Sequence, residues 1–363
     1  MEKMMAGTII PRKKGSFELK EVAVPEINAD EVLVRVLKLG LDGTDREIGE
    51  GLYGQAPDGQ GYLIPGHESL GVVEQVGKMV NGISVGELVV ATVRRPDDCI
   101  NCKSGESDMC VKGDYKERGI KGLDGYMAEY YKERPEYLVK IPDSLSDVAM
   151  MLEPLSIAEK AVMEVFAVQK RMVWEPRTAM VLGTGTVGLF AAMLLRLRGL
   201  EVISVDRTSS NPVKERIYSS FGITHVNSAE MPIASIPEKL SKKVDVAVEL
   251  TGSPAAVAEA FLLPGINGIL CLLSVTGESY MCNMDIGRLN YDMVLGNKVV
   301  IGSVNSNIKH FLQGVEDMVA MEGKAKGILE SMVTKKIRLG DFKDYGVLDD
   351  RSQIKVVLDI GST

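Results

Sequence analysis

Two short stretches of this chain carry side chains that can hold a metal and move a proton. One is Asp42-Gly43-Thr44-Asp45 and the other is Gly66-His67-Glu68. A carboxylate, an imidazole and a second carboxylate suit a borderline metal such as zinc. Asp45 stands where it could orient the other ring nitrogen of His67. Further on comes Val181-Leu182-Gly183-Thr184-Gly185-Thr186-Val187-Gly188, with the glycine spacing of a dinucleotide-binding turn. Gly183 allows the tight turn, Gly185 lets the backbone approach a pyrophosphate, and Gly188 lets helix and strand pack closely. Thr186 and Val187 lie in this turn, and the helix that follows would offer its first N–H groups to the phosphates. A metal site upstream and a nucleotide fold downstream imply hydride transfer at a metal-polarised oxygen.

Other residues extend these sites. Asp206 closes the strand 201–206 and is expected to reach the adenosine ribose, which favours NAD. Arg207 follows it and could pair a 2′-phosphate, which favours NADP. An aspartate repels phosphate, so the local charge tilts toward NAD. Thr251, after Glu249-Leu250, ends another strand and is expected near the nicotinamide half. Cys99, Cys102 and Cys110 form a separate cluster with metal-ligand spacing. A tetrahedral structural zinc needs a fourth donor. Asp114 is the expected one, with Asp97, Asp98 and Asp108 as alternatives; three reduced thiols in a surface loop is the competing reading. Cys271 lies in an apolar run and reads as buried filler. His225 and His310 read as structural.

The elements that must position these groups follow from periodicity. Residues 7 to about 140 read as short strands broken by Gly, Pro and Asp, with alternation at 31–36 and 71–76 and a third candidate strand at 86–90. A helix is expected from about 144 to 170, broken or restarted at Pro154, which leaves Glu153 at an element boundary. From Ala179 apolar strands alternate with helices: strands at 179–182, 201–206, 244–249, 268–275 and 298–304, and a helix at 188–198. That alternation means a parallel sheet covered on both faces. The tail from Asn305 returns to mixed α and β, ending in the apolar run 354–358.

The totals bound the rest. The 363 residues suggest two or three domains, and 45% hydrophobic content supports sizeable cores. A net charge of −8 argues against nucleic-acid or anionic-membrane partners. No long apolar run predicts a membrane span, and Met1-Glu2-Lys3-Met4-Met5-Ala6 lacks a signal core. A cytoplasmic protein is the expectation.

Taken together, these residues resemble the zinc-containing medium-chain alcohol dehydrogenase superfamily, and more narrowly the archaeal glucose dehydrogenases. The matching stretches are Asp42-Gly43-Thr44-Asp45-Arg46-Glu47-Ile48, Gly66-His67-Glu68, Val93-Arg94-Arg95-Pro96, Glu117-Arg118-Gly119-Ile120, Glu153-Pro154-Leu155 and Ile301-Gly302-Ser303-Val304-Asn305. The resemblance implies an α/β chain. A GroES-like, mainly-β catalytic domain (1–158 and 305–363) would join a Rossmann doubly wound parallel sheet (159–304), with the active cleft between them. It implies a catalytic zinc near Asp42, His67, Glu68 and Glu153, and a structural zinc at the cysteine cluster. The superfamily usually has cysteine where this chain has Asp42, and a carboxylate holds zinc less tightly than a thiolate. Where many relatives have the first of four lobe cysteines, this chain has Pro96.

The implied reaction is oxidation of an aldose, glucose foremost, at its anomeric carbon by NAD or NADP to give a lactone. Thr44 would relay the hydroxyl proton, while Glu68 and Glu153 would ligate zinc directly or through water. Thr44, Glu117, Glu153 and Asn305 would face the sugar, and Ser303 and Asn305 the cofactor. A homodimer or homotetramer is expected, with 298–304 as a pairing edge. The alternatives are a polyol or secondary-alcohol dehydrogenase of the same chemistry, and a metal-free nucleotide-binding protein.

Overall fold

A computed structural model describes residues 2–207, 211–277 and 279–361; Met1, part of the N-terminal run read above, lies outside them. The chain forms two compact units. One comprises Met1–Ser156, Ser306–Val319 and Leu329–Thr363, and the other Ile157–Asn305 and Ala320–Ile328.

Strand Val32–Leu41 is the spine of the first unit. It pairs antiparallel with Glu68–Val76 along one edge. Along the other edge it pairs with Tyr130–Glu133 through its first half and with Lys355–Asp359 through its second. Leu88–Ala91, Leu138–Lys140 and Val333–Arg338 complete a seven-stranded sheet. Its inward residues, among them Val34, Val36, Leu39, Val73, Val89 and Leu358, form one apolar core with Tyr126 from a neighbouring loop. The register matters for function. It sets Gly40 opposite Glu68 and Leu41 opposite Val356, so Asp42, Glu68 and Lys355 meet at one end of the sheet.

The second unit is a six-stranded parallel sheet. Its order is Ile223–Asn227, Glu201–Asp206, Thr178–Leu182, Val244–Glu249, Pro264–Leu272, Val299–Gly302. Thr178–Leu182 and Val244–Glu249 are buried at every position, which is why they read as unbroken apolar runs. The strand order reverses between these two, at the place where such folds bind nucleotides.

Three element boundaries differ from the sequence reading. The expected helix from 144 opens instead as two 3₁₀ turns, Asp143–Leu145 and Ala149–Met151, and the α-helix is Leu152–Gln169. Pro154 sits in its first turn, where a missing N–H costs nothing. The strand expected at 268–275 is Pro264–Leu272; a proline is tolerated as the first strand residue. Ile223–Asn227 was not anticipated, because its sequence is short and half polar. Among the described residues, no helix is long and apolar enough to cross a membrane.

Buried charge also braces the first unit. Glu133 accepts from Arg118 Nε at 3.0 Å and from Arg95 Nη2, and all three side chains are almost wholly enclosed. Burial alone would raise the Glu133 pKa, but Arg118 and Arg95 hold it below the ordinary carboxylate range. Replacing Glu133 by Gln leaves two guanidinium groups short of a counter-charge and is expected to cost about 3–5 kcal/mol. A depressed carboxylate stabilises above its unfolded pKa and ceases to do so as pH falls through its folded pKa. In urea denaturation the advantage of wild type over E133Q should therefore be full near neutrality and vanish in acid. An advantage that persists in acid would refute the charge argument.

Candidate active site

The metal-binding candidates converge because of two local devices. Asp42 follows strand Val32–Leu41 and caps helix Gly43–Gly49. Its Oδ1 accepts from the Thr44 and Asp45 amides at 2.8 and 3.1 Å, and Asp45 Oδ2 accepts from the Asp42 amide at 3.1 Å. This reciprocal capping box satisfies the first helical N–H groups. It also divides each carboxylate, so that one oxygen serves the backbone and the other turns to His67. Asp42 Oδ2 lies 3.6 Å from His67 Nε2, and Asp45 Oδ1 lies 3.8 Å from His67 Nδ1.

The second device fixes His67. Gly66 has φ +89°, and a Cβ on either Gly119 or Gly125 would fall within 2.3 Å of the Gly66 carbonyl oxygen. Three backbone segments therefore touch directly, which only glycine permits. The Gly66 carbonyl accepts from the Tyr126 amide at 3.0 Å. His67 is left buried and immobile at the start of strand Glu68–Val76.

Glu68 and Glu153 also approach His67. Donor atoms of His67, Glu68 and Glu153 lie within 4.8 Å of one another, as do those of Asp42, Asp45 and His67. One imidazole is thus shared by two triads. Thr44 is half-buried on the same capping turn. Sequence reading missed Lys355, whose Nζ donates to Glu68 Oε1 at 2.7 Å and to the Leu41 carbonyl at 3.1 Å. The signal was available: a lysine inside an apolar strand run must find a buried partner.

The site is short of positive charge. Burial, with neighbouring carboxylates, pushes Asp45 up to about 7 and Glu153 up to about 8, against the pull of His67. Burial likewise raises Glu68, against Lys355. Burial would lower His67, yet Asp42, Asp45 and Glu153 raise it well above its ordinary value. Without another cation, these groups must keep protons. Among the described residues, His67 Nδ1 and Asp45 Oδ1 are buried without hydrogen-bond partners. A compact set of N and O donors holding surplus protons fits a divalent ion, which would replace them.

The cysteine cluster corrects one expectation. Asp97, not Asp114, stands with Cys99, Cys102 and Cys110, all four donors lying within 4.8 Å. Asp97 Oδ2 is 3.0 Å from Cys110 Sγ, while Asp97 Oδ1 accepts from the Cys99 amide at 2.9 Å. The Asp114 carboxylate instead faces solvent beside Lys112 Nζ at 3.2 Å; only its amide reaches the cluster, donating to Asp97 at 3.2 Å. Backbone N–H groups also point at sulfur: Cys102 N at 3.5 Å from Cys99 Sγ, and Gly113 N at 3.2 Å from Cys110 Sγ. Such donors stabilise thiolates, and this three-sulfur, one-oxygen set suits tetrahedral zinc.

The remaining candidates are placed as follows. Gly183, at φ +104°, makes the turn after Thr178–Leu182, and a Cβ on Gly188 would lie 2.1 Å from the Gly183 carbonyl oxygen. Gly185 caps helix Thr186–Leu197, which contains Thr186 and Val187. Asp206 ends its strand bonded to Thr184, Lys214 and His225, and Arg207 beside it is exposed. Thr251 donates its amide to Glu249 at 2.7 Å. Ser303 donates its amide to the Leu272 carbonyl at 3.0 Å, and Asn305 holds φ +60°. Glu117 is buried and accepts from Arg94 Nε and Nη2 at 3.0 and 2.9 Å. His310 accepts at Nδ1 from the Asn307 amide at 3.0 Å, the structural role expected. Cys271 is fully buried.

Fold and site together define a zinc-type medium-chain dehydrogenase. Residues 28–143 match the alcohol dehydrogenase GroES-like domain, and residues 146–360 match the glucose dehydrogenase C-terminus. Glucose 1-dehydrogenase of Methanocella arvoryzae is 45% identical over 361 residues, covering 99% of this chain and 100% of the relative. Glucose 1-dehydrogenase 1 of Caldivirga maquilingensis is 40% identical over 359 residues, covering 98% and 99%. A solved structure of Haloferax mediterranei glucose dehydrogenase in complex with NADP, Zn and gluconolactone superposes with a TM-score of 0.89 at 31% identity, covering 99% of this chain and 100% of that one. Within that class, this chain belongs to the glucose dehydrogenase family.

Metal analysis separates the two acids at the cysteine lobe. Asp97→Ala is expected to lower bound zinc by one equivalent per chain, whereas Asp114→Ala leaves it unchanged. The reverse result would restore Asp114 as the ligand.

Proposed function

We propose that this chain oxidises glucose, or a closely related aldose, at its anomeric carbon with NADP⁺ or NAD⁺ to give the aldonolactone. One observation carries the reading: a buried imidazole, His67, shared by two carboxylate triads whose four acids outnumber the one lysine bonded among them, Lys355 on Glu68. Full-length similarity to glucose 1-dehydrogenases supports the choice of substrate. On this reading, 1–158 with 305–363 form the catalytic domain and 159–304 the dinucleotide domain.

The residues divide the work. Asp42, His67, Glu68 and Glu153 would hold the catalytic zinc, and Cys99, Cys102, Cys110 and Asp97 the structural one. Bound at the first site, zinc supplies a Lewis acid that lowers the pKa of the substrate hydroxyl. Asp45 orients His67 through Nδ1. Thr44 accepts the hydroxyl proton at Oγ1 and passes it outward, while the anomeric C–H leaves as hydride to the nicotinamide. Glu117, oriented by Arg94, and Asn305 accept and donate hydrogen bonds to sugar hydroxyls; a site built to bond several hydroxyls rejects simple alcohols strongly. Lys355 holds Glu68 by hydrogen bonds to both carboxylate oxygens and limits how far it can swing toward the metal. Gly183, Gly185, Thr186, Val187 and Gly188 bind the pyrophosphate, and Thr251 and Ser303 line the nicotinamide half.

The same reading includes a homodimer or homotetramer working in the cytoplasm. Val299–Gly302 is the edge strand of its sheet, and helix Ile286–Leu295 before it buries none of its residues. Ile286, Tyr291, Val294 and Leu295 are all more than half exposed. An apolar face beside an open strand edge calls for a second copy. Clustered reduced thiols suit a reducing compartment.

Three measurements test this. His67→Ala should lower kcat/KM for glucose by roughly 10³-fold while NADP⁺ affinity, read by calorimetry, holds; retained activity would remove His67 from the chemistry. A panel of glucose, galactose, xylose and simple alcohols should show aldose oxidation only, and turnover of alcohols without aldoses would replace the sugar reading. Light scattering should find Val294→Asp/Leu295→Asp shifted toward monomer; an unchanged mass would place the interface elsewhere.

A further inference from the structure

An acid at the end of the second strand of a dinucleotide fold ordinarily accepts hydrogen bonds from the adenosine ribose, and its charge repels a 2′-phosphate. Asp206 stands at that place, but both of its oxygens are already engaged. Oδ2 accepts from Lys214 Nζ at 2.9 Å and from Thr184 Oγ1. Oδ1 pairs with His225 Nε2 at 2.9 Å. Lys214 Nζ also donates to Thr184 Oγ1 at 2.6 Å. The threonine of the glycine-rich turn, the lysine and the aspartate therefore close a triangle.

The arrangement is built rather than incidental. Lys214 lies in the first turn of helix Pro212–Phe221, where its amide donates to the Asn211 cap at 3.0 Å. Its side chain is about nine-tenths buried, so the ammonium is held against Asp206 and cannot swing into solvent. His225, on strand Ile223–Asn227, stacks against Tyr218 with ring centroids 5.1 Å apart and planes 10° from parallel. An ammonium 2.9 Å from a carboxylate cancels most of its field beyond a few ångströms. Arg207, exposed and next in sequence, is then the residual charge at this end.

We propose that Lys214 determines cofactor choice: by neutralising Asp206 it lets the site accept the adenosine 2′-phosphate, with Arg207 as the pairing cation. Asp206 acts as a counter-ion and loop anchor and is not the ribose ligand. The inference rests on the dinucleotide-binding reading given above and reverses the tilt toward NAD drawn from Asp206 alone.

Calorimetric titration of the zinc-loaded protein with NADP⁺ and with NAD⁺, in the absence of sugar, tests the proposal through binding rather than turnover. Wild type should bind NADP⁺ at least as tightly as NAD⁺. Lys214→Met should weaken NADP⁺ by about tenfold or more and change NAD⁺ by less than about threefold. Because Lys214→Met strands a buried carboxylate, the double variant Lys214→Met/Asp206→Asn is measured beside it; removing both charges is tolerated better than removing one. The double variant should recover NADP⁺ affinity. Failure of that recovery, or equal weakening of both nucleotides by Lys214→Met, would overturn the proposal. So would a selective loss of NAD⁺ affinity in Asp206→Asn, which would restore the ribose-ligand role. If wild type binds neither nucleotide, the dinucleotide reading itself fails, a result distinct from each of these.

Discussion

The structure depends on an imbalance of charge around one enclosed imidazole. Asp42, Asp45, Glu68 and Glu153 surround His67, with Lys355 as the cation bonded to Glu68. Carboxylates in such a setting either take up protons or share a cation, because isolated buried charge is too costly. Protons satisfy the count but leave His67 Nδ1 and Asp45 Oδ1 without partners. A divalent ion held with Asp42 on the Nε2 side of His67 would offset the charge and leave Nδ1 facing Asp45. The chemistry of the site and its demand for metal thus have the same origin.

That imbalance persists only because the backbone cannot relax around it. The contact of Gly66 with Gly119 and Gly125 fixes the His67 segment from behind, and the capping box fixes the Asp42 turn from the side. Lys355 ties the last strand of the sheet to both Glu68 and the Leu41 carbonyl. Farther out, Arg94 donates to Glu117 and also to the carbonyls of Ser107 and Asp108, each at 3.3 Å. The cysteine lobe and a sugar-binding candidate therefore share one guanidinium. Asn307 adds a second tie, donating to Glu106 at 2.9 Å. A metal held by the cysteine lobe would order a polar loop whose inner side carries these contacts, since such a loop has little apolar surface to fold around.

The two ends of the nucleotide fold use acids in different ways. Glu249, fully buried at the end of its strand, accepts from the Thr251 amide and hydroxyl at 2.7 and 2.5 Å and from Ser274. It holds two loops with neutral donors. Asp206 holds its loop with a charged donor, Lys214, beside the Thr184 hydroxyl and His225, and these three offset burial and bring its pKa down to about 2. A carboxylate at a strand end is therefore not a cofactor ligand by position alone.

Much of this protein was legible in its residues. The glycine spacing at Gly183, Gly185 and Gly188, the apolar strands after Ala179 and the pair of Gly66-His67-Glu68 with Asp42 marked the fold and a cluster of metal-type donors, because backbone sterics and donor chemistry are local properties. The break at Glu153-Pro154 was legible for the same reason, although the helix was expected from about 144, where the chain forms 3₁₀ turns. Partners distant in sequence were not. Lys355 reaches Glu68 across 287 positions, and only strand register brings them together. Asp97 rather than Asp114 completes the cysteine cluster because loop curvature, not spacing, aims a carboxylate. Lys214 and His225 change the meaning of Asp206 through a helix and a strand that pairing places beside it. Sequence determined which chemistries were present; tertiary structure decided which charges meet, since electrostatic interaction depends on distance in space and not along the chain.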